Sequence, residues 1–280
     1  QFNLMIASND LPDIIFWTNW ISGYPGGPEK AISDGVIIPL NDVMRDHAPN
    51  LSSQFAQNTS WFKSAKTDSG TLYMFPFIRG SEDLQVFYGP QLRRDWLDQL
   101  GLTVPETLDD WEEVLTAFKD EGLSEYPLTF TRFDRGRGIN GPGNAFIQPF
   151  DTSWDFHQVD GEVEFGPYED EFLAFLTHFK GWFDQGLVDP EFFSNERNTF
   201  DAKILNGEVG AWTSYTGSGI GAYLDANGGE GTFDIIAAPY PVRRSGTTPF
   251  LGQRDNPLPG HGAAITTQAD DVELAAEWLD

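Results

Sequence analysis

Aromatic side chains set beside short polar ones are the residues of this chain best suited to chemistry, and the chemistry they suit is non-covalent. The 280 residues include 9 Trp, 8 Tyr and 23 Phe, 14% aromatic in all. A sugar presents apolar C–H faces and a rim of hydroxyls, so flat rings with neighbouring hydroxyl and amide groups are what a concave carbohydrate site needs. Trp17 and Trp20 follow the strand-like Ile14-Ile15-Phe16 and share a turn with Thr18 and Asn19. The carboxyl end of a strand is where α/β folds hold ligands, so Trp17, Asn19 and Trp20 are the first stacking and hydrogen-bonding candidates. Trp212 and Tyr215 form a second pair, after a β-like run from Val209 and close to Gly217 and Gly219, although Trp212 can equally anchor its strand. Asn144, Phe146 and Trp154 lie on a weakly patterned segment, 132–158, too long for an ordinary connection. Segments of that length carry function or are disordered. Trp96, Trp111, Trp182 and Trp278 fall on helical stripes among apolar neighbours and read as core.

Covalent and metal chemistry have less to work with. There is no cysteine, hence no disulfide framework, thiolate metal site or thiol nucleophile. The four histidines, at 47, 157, 178 and 261, are scattered without an H-x-x-x-H pair, so no zinc site is expected. Gly136-x-Gly138-x-x-Gly141 has the spacing of a dinucleotide fingerprint, but it contains Arg137, precedes Pro142 and opens no helix that could meet a pyrophosphate. No G-x-S-x-G elbow occurs. With 43 acids a hydrolase-type carboxylate pair can be drawn, such as Glu82 with Asp134 or Asp155, and a glycoside hydrolase is the alternative reading. Against those acids stand 17 Lys and Arg, a formal charge of -26. Such a chain has no basic footprint for nucleic acid, and its acidity reads as a solvated surface. No apolar run approaches the ~20 residues that a membrane helix requires.

These side chains must be positioned by an alternation of β-type runs with helical patterns, the mark of α/β layering. The β-type runs are 13–17, 72–77, 84–88, 128–131, 209–212, 233–237 and 263–266. Leu92, Trp96, Leu97 and Leu100 share one helical face that Gly101 ends. Pro105 bars continuation, Thr107 with Asp110 makes a capping box, and Trp111, Val114, Leu115 and Phe118 repeat as the next helical stripe. Phe172, Phe175, Leu176, Phe179 and Phe183 form a stripe ending at Gly186, Phe200 and Ile204 a shorter one ending at Gly207, and Asp270 is a cap for the last helix.

The wording R-x-D-W-L-x-x-L-G-L-x-V-P-x-T-x-D-D-W from Arg93 to Trp111 closely resembles the family 1 extracellular solute-binding proteins, substrate receptors of carbohydrate ABC importers. Further phrases agree in the family's order: Ala7 to Trp17, G-V-I-I-P-L from Gly35, D-S-G-T-L-Y from Asp68, G-L-V-D-P from Gly186 and G-E-V-G-A-W from Gly207. The resemblance spans essentially the whole chain. It implies an α/β, two-lobed, type II periplasmic-binding-protein-like fold, with lobe one at 1–82 plus 240–280, lobe two at 83–239, and hinges near 82–84 and 238–241. The fold is expected to be incomplete at both ends here. The family also implies a non-catalytic, monomeric receptor outside the cytoplasmic membrane, lipid-anchored, that captures an oligosaccharide and delivers it to a membrane permease without a cofactor. Glu82 matches a ligand-contacting acid of maltose receptors, and Arg79 beside it suits a uronate carboxylate. Asn19 and Trp20 replace the acid and base usual in maltose receptors. Some relatives carry a calcium loop after the second helix, but Asp120 to Pro127 is too short of oxygens to form one, so no metal is expected there.

Overall fold

Thr107 starts a helix as its spacing predicts. Its Oγ1 accepts from the Asp110 N–H at 3.1 Å, and the Asp110 carboxylate accepts from the Thr107 N–H at 2.8 Å. The preceding helix, Arg94–Leu100, ends at Gly101 with φ 69°, a left-handed conformation that costs glycine nothing. In the helix Leu108–Asp120, Trp111, Leu115 and Phe118 are fully buried and Val114 nearly so. The structure is a computed structural model and describes residues 2–16, 24–132, 145–228, 233–250 and 254–280.

The chain divides into two compact units, residues 1–85 with 255–280, and residues 86–254. In the first, strands β1 (Ile14–Ile15) and β2 (Phe75–Pro76) flank β9 (Gly262–Ile265), both antiparallel. Helices Asn41–His47, Pro49–Gln57 and Val272–Leu279 cover this sheet through Leu40, Met44, Leu51, Phe55, Ala275 and Ala276. The Asp280 carboxylate accepts from the N–H groups of Asn50 and Leu51 at 2.9 and 2.7 Å, a negative group at the positive end of the helix that Pro49 opens.

The second unit is built on a sheet of order β4-β7-β3-β8, with β3 at Tyr88–Arg93, β4 at Leu128–Thr129, β7 at Ala211–Tyr215 and β8 at Ile235–Ala237. β3 runs antiparallel to β7 and β8, while β4 runs parallel to β7. Helices Leu108–Asp120 and Asp170–Asp184 pack an aromatic core that contains Trp111, Phe118, Phe130, Phe175 and Trp182. Asp189, 3% exposed, ties this core together. It accepts from Thr129 Oγ1, Asn195 Nδ2 and Lys203 Nζ at 2.7 to 2.8 Å. Burial alone would raise its pKa, but the bonds from Lys203, Thr129 and Asn195 outweigh that and hold the carboxyl below the ordinary aspartate range.

Several expectations need correction. The run 84–88 is not a strand: Glu82–Gln85 is a 3₁₀ turn and β3 begins at Tyr88, so Leu92 is a strand residue and the helix starts at Arg94. Asp271, not Asp270, caps the last helix, accepting from the Leu274 N–H at 2.9 Å. Trp278 on that helix is 73% exposed rather than core. Leu176 and Phe183 are likewise 43% exposed, and Trp182 takes the buried place in their helix. Residues 240–250, grouped from sequence with lobe one, fall in the second compact unit. Val242 exchanges backbone bonds with Glu106 and Leu108, and Glu106 accepts from Ser245 and Gly246. Within the segment 132–158 and just beyond it, a hairpin joins β5 (Phe156–Val159) to β6 (Glu162–Phe165). Its two-residue turn is Asp160-Gly161, both at positive φ, as a type I′ turn requires.

Candidate functional site

Because β3 and β7 are antiparallel with Tyr88 opposite Tyr215, the start of one and the end of the other share one end of the sheet. Three aromatic rings gather there. Phe87 and Tyr215 lie nearly parallel, 5.9 Å apart at 11°, and both meet Tyr88 edge-on, at 84° and 73°. Tyr88 is buried, whereas Phe87 and Tyr215 are half-buried. Backbone bonds fix the pair, since the Thr216 N–H donates to the Phe87 carbonyl at 2.8 Å. Beneath them the buried Gln91 Nε2 donates to the carbonyls of Ser214 and Tyr215, each at 3.0 Å, and Gln91 Oε1 accepts from Trp212 Nε1 at 3.0 Å.

β7 runs directly into a π-helical turn, Thr216–Gly221, whose Thr216 and Ser218 are exposed. Gly219 is required in this turn: a Cβ there would come within 2.6 Å of Ser214 Oγ and 3.1 Å of Gln91 Oε1. Tyr240 completes the support, packing against Gly89 with its hydroxyl 3.5 Å from the Tyr88 carbonyl. Burial pushes the Tyr240 hydroxyl well above the usual tyrosine range, so it stays protonated. The whole is a rigid aromatic surface rimmed by hydroxyls. It can stack on an apolar face and exchange hydrogen bonds at its edge.

In the first unit the residues after β2 make a second aromatic group. Phe77 and His261 stack 5.1 Å apart at 16°, with the Phe77 N–H donating to the His261 carbonyl at 2.8 Å. The Arg79 guanidinium lies over the Phe77 ring, 5.5 Å from its centre, and pairs with Asp255, whose side chain is 8% exposed. Burial first, and then the positive charge of Arg79, hold the His261 pKa below its usual value, partly offset by Asp255. Gln85 braces the group by donating to the Arg79 carbonyl at 3.2 Å. Phe16, directly after β1, is 60% exposed.

The family profile described as bacterial extracellular solute-binding protein matches residues 1–280. The chain belongs to that family. Among curated relatives it is 26% identical to the fructooligosaccharide ABC transporter substrate-binding protein FusA of Streptococcus pneumoniae, over 99% of this chain and 52% of that one. It is 25% identical to the lipoprotein LipO of Bacillus subtilis, over 99% of this chain and 53% of that one. The chain therefore spans about half the length of the curated relatives it matches. Solved structures agree on the fold. FusA in complex with kestose superposes with a TM-score of 0.72 at 23% identity, and alginate-binding AlgQ2 with 0.72 at 24%, each over 99% of this chain and 56% of the other. The fold is that of the type II periplasmic binding proteins.

Among the residues that sequence put forward, Trp17, Asn19, Trp20 and Asn144 lie outside the described residues, as does Asp134. Tyr215 is in the aromatic surface of this solute-binding fold. Trp212 and Phe146 are not available to a ligand: both are fully buried. Trp212 anchors β7 through Gln91 and Tyr223, and Phe146 sits edge-on to Trp111 at 4.9 Å. Trp154 packs edge-on to Phe172 and Phe175 and lines an apolar hollow of about 410 Å³ with Phe179 and Phe183, poor in partners for hydroxyls. Glu82 is exposed on its 3₁₀ turn, and Arg79 is engaged by Asp255. Phe87, Tyr88 and Gln91, which build the aromatic surface, are not among the residues that sequence put forward. Their signal was present, since Phe87-Tyr88 precedes the phrase that carries the family resemblance, but the strand boundary was misplaced.

Proposed function

We propose that the intact protein is a non-catalytic receptor that captures a neutral oligosaccharide outside the cytoplasmic membrane and delivers it to the permease of an ABC importer. The two compact units serve as its lobes, with hinges near 82–86 and 254, and it works as a lipid-anchored monomer. The observation that carries this reading is the stacked pair Phe87 and Tyr215, half-buried on a rigid sheet end beside Thr216 and Ser218. Membership in the solute-binding family and the fructooligosaccharide named for FusA support the same class of ligand. Trp17, Asn19 and Trp20 are proposed as further stacking and amide contacts to the sugar. Neutral sugar is favoured over uronate because Arg79 already pairs with Asp255, and a carboxylate ligand would have to displace it.

A hydrolase has less support. Glu82 and Asp155 are both exposed. A thermal-shift screen of the intact protein against neutral and acidic oligosaccharides tests the proposal. Ligand at ~100 times its dissociation constant stabilises by about 2.7 kcal/mol. A shift with neutral sugars is expected; a shift with uronates alone overturns the neutral assignment, and no shift with either overturns the oligosaccharide reading.

A further inference from the structure

The hairpin that sequence reading overlooked brings three metal-ligand side chains together across its turn and the start of the next helix. His157 on β5 and Glu164 on β6 are cross-strand partners, and Glu169 stands just before the helix Asp170–Asp184. His157 Nε2 is 3.7 Å from Glu164 Oε2 and 3.5 Å from Glu169 Oε1. One ligand atom from each of the three lies within 4.8 Å of the others. The His157 side chain is only 4% exposed, yet among the described residues neither ring nitrogen has a hydrogen-bond partner, and Glu169 Oε1 is buried without one as well. An imidazole and a carboxylate oxygen buried in this state are costly unless something between them satisfies both.

The spacing fits an ion better than a direct bond. Metal–ligand bonds of about 2.0–2.2 Å at tetrahedral angles put ligand atoms about 3.3–3.6 Å apart. The two separations from Nε2 are close to that, and too long for hydrogen bonds. The surroundings hold the ligands in place. Thr152 Oγ1 donates to Glu169 Oε2, which leaves Oε1 for the ion, an outer-shell contact of the kind that orients metal carboxylates. Gly166 lets the hairpin exit press against the Ser153 carbonyl, which a Cβ would meet at 1.8 Å, and Phe250 covers the imidazole edge-on at 5.7 Å. Arg243, which lines the same hollow, lays its guanidinium over Phe150.

We propose that His157, Glu164 and Glu169 bind one divalent transition-metal ion of the zinc type, which clips the hairpin to the start of the helix. One nitrogen and two carboxylates suit zinc, whereas calcium takes six to eight oxygens. The site stands apart from the oligosaccharide reading and does not depend on it.

The test is calorimetric titration of the intact, chelator-stripped protein with Zn²⁺, and separately with Ca²⁺. The expected result is a one-to-one Zn²⁺ step with no matching Ca²⁺ step. Glu164→Gln, whose side chain is 45% exposed, should weaken that step at least about 100-fold, beyond the 10- to 100-fold cost of losing an outer-shell partner. Glu169→Gln and His157→Asn should do the same. His47→Asn should leave it unchanged, although His47 also neighbours two acids, Glu273 and Glu277. Co²⁺ in place of Zn²⁺ should give a visible absorption that Glu164→Gln removes. Absence of the one-to-one step, or its persistence in both glutamine variants, overturns the proposal.

Discussion

Replacing Gln91 by methionine separates what holds the aromatic surface from what the surface does. Gln91 is 1% exposed, and its amide makes three side-chain bonds, to the carbonyls of Ser214 and Tyr215 and from Trp212 Nε1. Methionine has nearly the same volume, so repacking alone should cost under about 1.5 kcal/mol. Three lost bonds at about 1 kcal/mol each give about 3 kcal/mol, and an indole N–H stranded without an acceptor raises the total toward about 5 kcal/mol. Trp212, fully buried, is that indole. Urea unfolding followed by tryptophan fluorescence should therefore show the second unit destabilised by about 3–5 kcal/mol. Tyr215→Ala should behave oppositely. Its ring is half-buried at the surface, so stability should fall by about 1 kcal/mol, while oligosaccharide affinity falls by about 2 kcal/mol or more, roughly 30-fold. A loss below about 1 kcal/mol for Gln91→Met, or equal destabilisation by the two variants, would refute the division between support and contact.

Phe146→Ala should cost about 3–5 kcal/mol because the ring is fully buried against Trp111, yet leave the affinity of the folded fraction unchanged; weakened binding would return Phe146 to the site. Lys203→Met strands the Asp189 carboxylate in a buried position and should destabilise by about 3–5 kcal/mol in urea unfolding at neutral pH. Asp189 also sets a pH dependence. Its folded pKa is depressed, so its contribution is complete above the unfolded value of about 3.9 and is lost as pH falls through the folded value. Asp189→Asn should accordingly flatten the stability profile below about pH 4, and an unchanged acid limb would contradict the role given to this carboxylate.

Local rules were legible where one residue decides the geometry. Gly101 and the Thr107 with Asp110 box mark helix ends through backbone conformation and reciprocal hydrogen bonds, which need no tertiary context. Tertiary context decided the rest. Trp182 and Trp278 both fall on helical stripes among apolar neighbours, yet one is 1% and the other 73% exposed, because burial depends on what packs across the element. The start of β3 was misread because Leu84 and Val86 look strand-like but are 57% and 54% exposed on and just beyond a 3₁₀ turn. Asp160-Gly161 is a strong hairpin signal, and overlooking it hid the pairing of His157 with Glu164. Scattered histidines said nothing of a metal for the same reason, since the third ligand, Glu169, joins them only through the fold. Arg79 looked available to a uronate until Asp255, distant in sequence, proved to be its partner.

Calorimetric titration of the intact protein with fructo-oligosaccharides and other neutral oligosaccharides, followed by mass analysis of the recovered sugar, distinguishes capture of an oligosaccharide from its cleavage. One-to-one binding in the micromolar range, about -8 kcal/mol, with the sugar recovered at its original length, is the predicted result. No binding to any oligosaccharide, or recovery of shortened sugars, would contradict it.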